Sequence, residues 1–186
     1  VDPQKFVFLI DEINRADLSR VFGELFSLFE EDYRYPTNRK GIILPNGEEF
    51  VIPENLYIIG TMNDIDRSVE SMDFALRRRF AWYEVSADKS ARIIEEKIND
   101  EESKGKLLNA MRQINEMIAD PNTRLGKEYQ LGGAIFAKYL KYQVEDNSFD
   151  SLWNNHIAVI LNEYLRGRRD KESKLEELKN AYDGAV

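Results

Sequence analysis

The sequence predicts an α/β part, residues 1–85, followed by an all-α part, residues 86–186. Two short apolar runs that end in polar residues are typical of strands buried inside a parallel sheet. A segment with the apolar spacing of a helix follows the first of these runs. From Ser86 onward every periodic segment has helical spacing, so we place the domain boundary there.

The first apolar run, Phe6–Ile10, leads directly into two adjacent carboxylates, Asp11 and Glu12. We expect this strand to be buried on both faces and its acidic end to lie at the carboxyl edge of the sheet. Open α/β folds place their ligands at that edge, where a carboxylate pair can hold a hydrated metal ion and activate water. Alternatively, the two residues only end the strand and solvate a turn. These residues alone leave both interpretations open.

Two elements are predicted between the apolar runs. Asp17 is the predicted N-cap of a helix whose apolar residues recur at intervals of three and four. These apolar residues are Leu18, Val21, Phe22, Leu25, Phe26 and Phe29. Residues 42–52 predict a β-hairpin, because Asn46-Gly47 lies between two apolar triplets. This hairpin either faces a partner or is only an addition at the edge of the sheet.

The second apolar run, residues 56–61, also ends in a polar segment, which contains Asn63. Two predicted strands therefore carry polar side chains where they end. Residues 80–85 predict a third strand, because they too are rich in aromatic and branched side chains.

Three consecutive arginines end the next predicted helix, which begins at Ser68. The helix dipole favours cations at a C-terminus by about 0.3–1 kcal/mol, but three cations exceed what capping needs. Asp73 lies four residues before Arg77 and can pair with it. Arg78 and Arg79 are thus left to point elsewhere.

The all-α part consists of predicted helices separated by charged or turn-forming residues. Asp120-Pro121-Asn122 ends one of them, and Gly167 is the predicted C-cap of another. The predicted helices span 88–99, 104–119, a segment from Gly132-Gly133 through Tyr142, 148–166 and 171–182.

Composition narrows the classes of function. With 34 acidic and 26 basic residues the net charge is −8, which argues against a broad nucleic-acid-binding surface. There is no cysteine, which excludes a disulfide framework and a thiolate metal site. No apolar run approaches the roughly 20 residues that cross a bilayer, and no signal-peptide pattern is found. We therefore expect a cytoplasmic protein without a membrane partner.

Nucleotide hydrolysis by an α/β motor needs a phosphate cradle, a magnesium holder with a base, a group that orients water, and a cation for the developing charge. Asp11 and Glu12 suit the second role. The Asn63 amide, which donates and accepts, suits the third. Arg78 or Arg79 suits the fourth. The Gly-x-x-x-x-Gly-Lys-Ser/Thr cradle does not occur in these 186 residues.

Three motifs in order resemble the AAA+ ATPase superfamily, namely FVFLIDEINRAD, IIGTMNDIDRS and MDFALRRRF. Their wording is especially similar to the McrB family, the GTP-driven subunit of 5-methylcytosine-specific restriction systems. The segments YQLGGAIF and LWNNHIAVILNEYLRG resemble that family's helical lid. The resemblance covers nearly the whole chain.

The resemblance implies a role for each matching residue. It makes Asp11 the Walker B residue that holds magnesium through water, Glu12 the base, and Asn63 the first sensor. Arg78 and Arg79 become candidate fingers that reach into the site of the next subunit. The remaining matches are Asp66 and Arg67 in the family signature and Gly132 and Gly133 at the lid's nucleotide contact; Gly133 replaces a histidine found in members close to the namesake.

The resemblance also implies what these residues lack. AAA+ sheets run 5-1-4-3-2, and a chain that begins at the Walker B strand has strands 3, 4 and 5 without strand 1 and the Walker A half. An unpaired buried strand is too costly, so strand 5 must move, another chain must fill the gap, or part of the core is disordered. We expect the 186 residues alone to bind and hydrolyse no nucleotide.

For the full-length protein, the resemblance implies a motor that hydrolyses GTP or ATP with Mg²⁺. It implies a homo-oligomeric ring, a hexamer, that drives DNA translocation by a nuclease partner, with DNA contacted through regions outside this chain. One alternative is a MoxR-like ATP-driven factor that remodels proteins. Another is a catalytically silent scaffold that binds a partner.

Overall fold

The computed structural model describes residues 4–35, 41–63, 65 and 77–186. The chain divides into two compact units, unit 1 (Val1–Tyr83) and unit 2 (Glu84–Val186). The described strands all lie in unit 1 and are β1 (Phe6–Ile10), β2 (Ile42–Ile43), β3 (Glu49–Phe50) and β4 (Leu56–Gly60). The described α-helices are α1 (Leu18–Phe22), α2 (Ala87–Ser90), α3 (Arg92–Lys97), α4 (Glu101–Ala119), α5 (Gly133–Phe136), α6 (Ser148–Leu152), α7 (Ala158–Tyr164) and α8 (Lys171–Asp183).

β1 and β4 pair in parallel, as expected for the two predicted strands. Their register sets Phe6 opposite Leu56 and Ile10 opposite Gly60. Both strands therefore end at the same edge of the sheet. This alignment brings together the polar residues that follow each strand.

The prediction that β1 is buried on both faces is wrong. Val7 is 61% exposed and Leu9 is 59% exposed. Within the described residues β4 is the sole strand paired with β1, and the core of unit 1 contacts the sheet through Ile10, Leu56 and Ile58. Alternate side chains point to opposite faces, so Val7, Leu9, Tyr57 and Ile59 share the other face. We call these four exposed residues the open sheet face.

Asp17 caps α1 as predicted, because its side chain accepts a hydrogen bond from the Arg20 backbone N–H at 3.0 Å. The predicted continuous helix to Phe29 is wrong, since α1 ends at Phe22 and a 3₁₀ helix covers Gly23–Phe29. Gly23 has a φ of 52°, a left-handed value that interrupts the α-helix. The apolar residues of this segment still form the core of unit 1, with Ile13, Leu18, Phe26, Leu28, Phe29 and Ile52 buried.

The predicted hairpin is confirmed, with shorter strands than its sequence suggested. β2 and β3 are antiparallel, and Ile42 lies opposite Phe50. Gly47 in the turn has a φ of 85°, which glycine adopts readily.

The helix predicted from Ser68 lies largely outside the described residues, as do Asp66 and Arg67. The third strand predicted for residues 80–85 is wrong, because residues 81–86 have no regular secondary structure. A strand needs a neighbour to pair with its backbone groups, and in the described part of unit 1 none pairs with this segment. Trp82, Tyr83 and Val85 are accordingly exposed.

Unit 2 is helical and has its own apolar core. Its fully buried side chains include Ile94, Leu107, Ile114, Ile118, Leu131, Phe136, Leu152, Ile157, Leu161, Leu165 and Tyr182. The buried Asn115 amide on α4 donates to the Leu131 carbonyl at 2.9 Å and accepts from the Leu131 N–H at 2.7 Å. This pair of bonds fixes the loop before α5 to the longest helix of the unit.

Three predicted helices of unit 2 are more interrupted than their sequences indicated. The segment 88–99 forms the separate helices α2 and α3, and the segment after Gly132 forms α5 and a 3₁₀ helix, Ala137–Lys141. Between α6 and α7 lies a π-helix, Trp153–Ile157. In the described parts of the chain no helix combines the length and apolarity needed to cross a membrane.

Candidate active site

The carboxyl edge of the β1–β4 pair gathers three of the predicted site residues of unit 1, namely Asp11, Glu12 and Asn63. The Thr61 backbone N–H donates to the Ile10 carbonyl at 3.0 Å, and the Ile13 N–H donates to the Thr61 carbonyl at 2.8 Å. Asp11 and Glu12 lie between these two bonds in sequence. The turn after β1 is thus fixed against the end of β4.

The Thr61 hydroxyl contacts both carboxylate residues. It donates to Asp11 Oδ1 and accepts from the Glu12 backbone N–H at 3.3 Å. One hydroxyl therefore bonds both to the predicted metal-binding residue, Asp11, and to the predicted general base, Glu12.

Glu12 has an unusual backbone conformation for a residue with a side chain. Its φ of 52° and ψ of 48° lie in the left-handed region, which costs a non-glycine residue about 1–2 kcal/mol. Such conformations persist where the surroundings hold them, and they are common at functional sites. Here the hydrogen bonds to Thr61 on both sides of Glu12 supply the restraint.

The Glu12 carboxylate forms an ion pair with Arg15, with 2.7 Å between Oε2 and Nε. The two side chains are 52% and 55% exposed, respectively. Exposed pairs of this kind contribute only about 0–1 kcal/mol. Glu12 can therefore leave Arg15 at little cost when another group competes for its carboxylate.

Asn63 lies at the same edge and is linked to the turn after β1. Its carbonyl accepts from the Asn14 side-chain amide at 3.2 Å, and its own Oδ1 accepts from the Ile65 N–H at 3.3 Å. Within the described residues, the buried Oδ1 of Asn14 has no hydrogen-bond partner.

Arg78 and Arg79 have different surroundings, although they are adjacent in sequence. Arg79 Nη2 lies 2.8 Å from Glu30 Oε1, its guanidinium lies 4.6 Å from the centre of the Phe26 ring, and its side chain is 17% exposed. Arg78 is exposed and lines a surface cleft with Arg79, Glu30 and Glu31. The Arg79 side chain is therefore packed against other residues of unit 1, whereas the Arg78 side chain is exposed to solvent.

The structure gives Gly133 in unit 2 a packing contact. Its N–H donates to Ser90 Oγ at 2.8 Å, and a Cβ on it would lie 2.3 Å from the Ser90 carbonyl oxygen. The neighbouring Gly132 also faces Ser90, whose Oγ would lie 3.1 Å from an added Cβ. These glycines allow α5 to approach the end of α2 closely.

The donor atoms at the edge of unit 1 fit a magnesium ion bound through water. Carboxylate oxygens are donors that Mg²⁺ prefers, and it keeps several waters when one or two carboxylates hold it. Asp11 is exposed and has one carboxylate oxygen beyond the one bonded to Thr61. No group of three or more His, Asp or Glu side chains is placed to hold a metal directly in the described ranges.

Sequence reasoning missed three residues of this edge, namely Asn14, Arg15 and Thr61. Each stands within three residues of a predicted one, so proximity in sequence was the available signal. The contacts of Asn14 and Thr61 arise from the register between β1 and β4, which are about 50 residues apart in the chain, whereas the ion pair of Arg15 with Glu12 is local.

Comparison with known proteins gives one family and two relatives. Residues 3–80 match the family described as AAA domain (dynein-related subfamily). The chain is 35% identical over 182 residues to the type IV methyl-directed restriction enzyme EcoKMcrB subunit of Escherichia coli K12, with 92% of this chain and 39% of that protein covered. It is 31% identical over 101 residues to the type II restriction enzyme BsuMI component YdiS of Bacillus subtilis 168, with 48% of this chain and 29% of that protein covered. The chain thus spans well under half the length of either relative.

Proposed function

Because the chain belongs to the AAA+ superfamily and, within it, to the McrB family, we propose that it is the water-activating part of a nucleoside triphosphatase subunit in a DNA restriction system. One observation carries the proposal. The parallel pairing of β1 and β4 sets Asp11 and Glu12 beside Thr61 and Asn63 at a single edge.

Asp11 and Glu12 divide the work between them in this proposal. Asp11 holds Mg²⁺ through a water molecule, and Glu12 polarises the attacking water as general base. The ion, when bound with the nucleotide, offsets the negative charge of the phosphates. Glu12 reaches the water by leaving Arg15, a partner that its exposed position makes easy to exchange.

Asn63 and the arginines complete the proposed site. Asn63 orients the attacking water, for which its side chain leaves the local bond to the Ile65 N–H. Arg78 is the better placed of the two candidate fingers, because its side chain is exposed, whereas the Arg79 side chain is only 17% exposed and lies against Glu30 and Phe26. An arginine that reaches the phosphates from a neighbouring subunit stabilises the charge that develops on them.

We extend the proposal to the assembly of the full-length protein. The Escherichia coli relative is called a subunit and the Bacillus subtilis relative a component of a restriction enzyme. A finger that acts between subunits requires an oligomer, and we propose that this is a homo-oligomeric ring, a hexamer, that works with a nuclease subunit. DNA is contacted by regions outside this chain, consistent with the net charge of −8.

The lid assignment of Gly132 and Gly133 is also a proposal. Their close approach to Ser90 fixes the start of α5. We propose that this rigid corner of unit 2 presents backbone groups to the nucleotide. In this proposal the helical unit is the lid domain of the full-length protein.

The substitution Glu12→Gln in the full-length protein tests the assignment of the base. We expect turnover to fall by at least about 100-fold, because the amide cannot take the proton of the attacking water. Nucleotide binding, measured by equilibrium titration, should stay within about threefold, since the amide keeps the size of the side chain. Glu24→Gln, at an exposed position of the same unit, is the matched control. Unchanged turnover in the Glu12 variant would contradict the proposed role.

The nucleotide and the nuclease partner are tested by turnover of GTP and of ATP, each with and without the nuclease subunit. Preference for GTP and stimulation by the nuclease subunit are the expected results. A preference for ATP without stimulation would instead favour a protein-remodelling factor.

A further inference from the structure

Thr61 makes hydrogen bonds to four consecutive residues of the turn after β1. Its backbone N–H and carbonyl bond to Ile10 and Ile13, and its hydroxyl bonds to Asp11 and Glu12. We propose that Thr61 is a positioning residue that orients the Asp11 carboxylate toward the metal-bound water and fixes the turn that carries Glu12. The inference rests on the proposed function and adds to it a residue outside the motif roles given above.

The hydroxyl of Thr61 uses its one hydrogen and one lone pair in a single orientation. A hydroxyl has one hydrogen to donate and lone pairs to accept with. The hydrogen goes to Asp11 Oδ1, and a lone pair accepts the Glu12 N–H at 3.3 Å. Reversing the hydroxyl would lose the bond to Asp11, because an ionised carboxylate accepts hydrogen bonds and cannot donate them.

The bond to Thr61 distinguishes the two oxygens of Asp11. Oδ1 is engaged by the hydroxyl, so Oδ2 is the oxygen left to accept from a water on the metal. Groups that orient a metal-binding carboxylate affect metal affinity or activity by about 10–100-fold when they are removed. Thr61 has the position and the chemistry of such a group.

The bond to Glu12 acts on the backbone rather than on the carboxylate. Glu12 is left-handed, with a φ of 52°, and a conformation of this cost persists where hydrogen bonds hold it. The Thr61 side chain holds the Glu12 N–H, and the Thr61 carbonyl holds the N–H of Ile13. Loss of the hydroxyl frees one of these two restraints.

Two substitutions in the full-length protein separate the hydroxyl from the rest of the side chain. Thr61→Val keeps the shape and removes the hydroxyl, whereas Thr61→Ser keeps the hydroxyl and removes a methyl group. The readout is Mn²⁺ affinity in the presence of a non-hydrolysable nucleotide analogue, measured by electron paramagnetic resonance. Turnover and nucleotide affinity are measured alongside it.

We expect Thr61→Val to weaken Mn²⁺ binding by about 10-fold or more and to lower turnover by about 10–100-fold. Nucleotide affinity should stay within about threefold, because the bonds of Thr61 go to the turn that carries the metal holder. Thr61→Ser should restore Mn²⁺ affinity and turnover to within about threefold of the natural protein.

Thr123→Val is the matched control in unit 2. The Thr123 hydroxyl donates to the Ile118 carbonyl at 2.9 Å and to the Asp120 carbonyl at 2.7 Å. Its removal should lower the melting temperature and leave Mn²⁺ affinity unchanged. If Thr61→Val does not fold, Thr61→Ala takes its place, since it also removes the hydroxyl and adds no apolar group.

Each outcome decides the inference. Natural Mn²⁺ affinity and turnover in Thr61→Val would overturn it, as would equal losses in Thr61→Val and Thr61→Ser accompanied by a lower melting temperature. If the natural full-length protein shows no metal-dependent nucleotide turnover, the proposed function fails. If the natural protein turns over nucleotide and Thr61→Val has unchanged Mn²⁺ affinity and turnover, only the positioning role of Thr61 is overturned.

Discussion

Gly133 cannot carry a side chain unless the backbone around it moves. An added Cβ would lie 2.3 Å from the Ser90 carbonyl oxygen and 3.3 Å from Ala91 Cα, both of them main-chain atoms. Backbone yields less readily than the end of a flexible side chain. The Gly133 N–H is also bonded to Ser90 Oγ, so a shift of either segment breaks a buried hydrogen bond.

We therefore expect Gly133→Ala to destabilise the chain by about 1–3 kcal/mol, the usual cost of overpacking. The measurement is the free energy of unfolding in urea. Gly105→Ala is the control, because Gly105 lies within α4 with no atom inside 4 Å of an added Cβ. That change should stabilise the helix by about 0.5–1 kcal/mol. Equal stability of the Gly133 variant and the natural chain would show that the backbone at the end of α2 can move to make room for the added methyl group.

Single residues also show how far the sequence determines the site. Asp11 and Glu12 could be predicted at a sheet edge, because the two residues directly follow an apolar strand. Arg78 and Arg79 could not be told apart, since they are adjacent and chemically identical. Their difference comes from Glu30 and Phe26, which lie about 50 residues earlier in the chain.

At the scale of elements, α8 is anchored by one buried aromatic residue. Tyr182 is fully buried, and its hydroxyl donates to the Phe149 carbonyl at 2.9 Å. Burial raises the pKa of the Tyr182 phenol above its usual 10.0, and the nearby carboxylates of Asp150 and Asp183 raise it further. The neutral phenol is thus the form that the folded chain holds.

A raised pKa makes this contribution to stability sensitive to alkali. The stabilising contribution of the neutral Tyr182 phenol is fully present below pH 10, the pKa of tyrosine in the unfolded chain. It is lost as pH rises from there toward the higher pKa of Tyr182 in the folded chain. We expect the free energy of unfolding to fall above pH 10, and to fall less in Tyr182→Phe. At neutral pH that variant should lose about 1 kcal/mol with the hydrogen bond.

Urea unfolding at several pH values measures this effect. Tyr142→Phe is a control for the loss of a phenol elsewhere in unit 2, where the Tyr142 hydroxyl lies 3.0 Å from His156 Nε2. If the free energy of unfolding has the same pH dependence in the natural chain and in Tyr182→Phe, ionisation of Tyr182 is not linked to folding.

Elements specified by local signals could be predicted, and those that depend on distant partners could not. The Asp17 cap and the Asn46-Gly47 hairpin each depend on a few neighbouring residues, and both are present. Burial of both faces of β1 depends on layers packed over each face of the sheet, and the strand at 80–85 depends on a neighbouring strand that pairs with it. In the described part of unit 1 those partners are not found, so the apolar sequence alone gave the wrong environment.

At the scale of the whole molecule, the two units carry different parts of the proposed activity. Unit 1 contains the edge with Asp11 and Glu12, and unit 2 contains the proposed lid. Neither unit contains the Gly-x-x-x-x-Gly-Lys-Ser/Thr cradle, which supplies most of the contacts to the β and γ phosphates in P-loop enzymes.

We therefore expect the 186 residues alone to show no saturable binding of GTP or ATP by isothermal titration calorimetry. The physical reason is that two carboxylates repel the phosphates unless a cation and a cradle hold them in place. The matched control is the full-length protein, which should bind. Saturable binding by the 186 residues would show that the cradle is supplied by residues within them.

The open sheet face has a consequence for the chain in solution. Within the described residues, β1 and β4 each have one outer edge without a strand, beside the exposed side chains of Val7, Leu9, Tyr57 and Ile59. Edges of this kind add strands from other molecules and so promote aggregation. The net charge of −8 opposes such encounters by mutual repulsion, which dissolved salt screens. We therefore expect added salt to speed the aggregation of this chain.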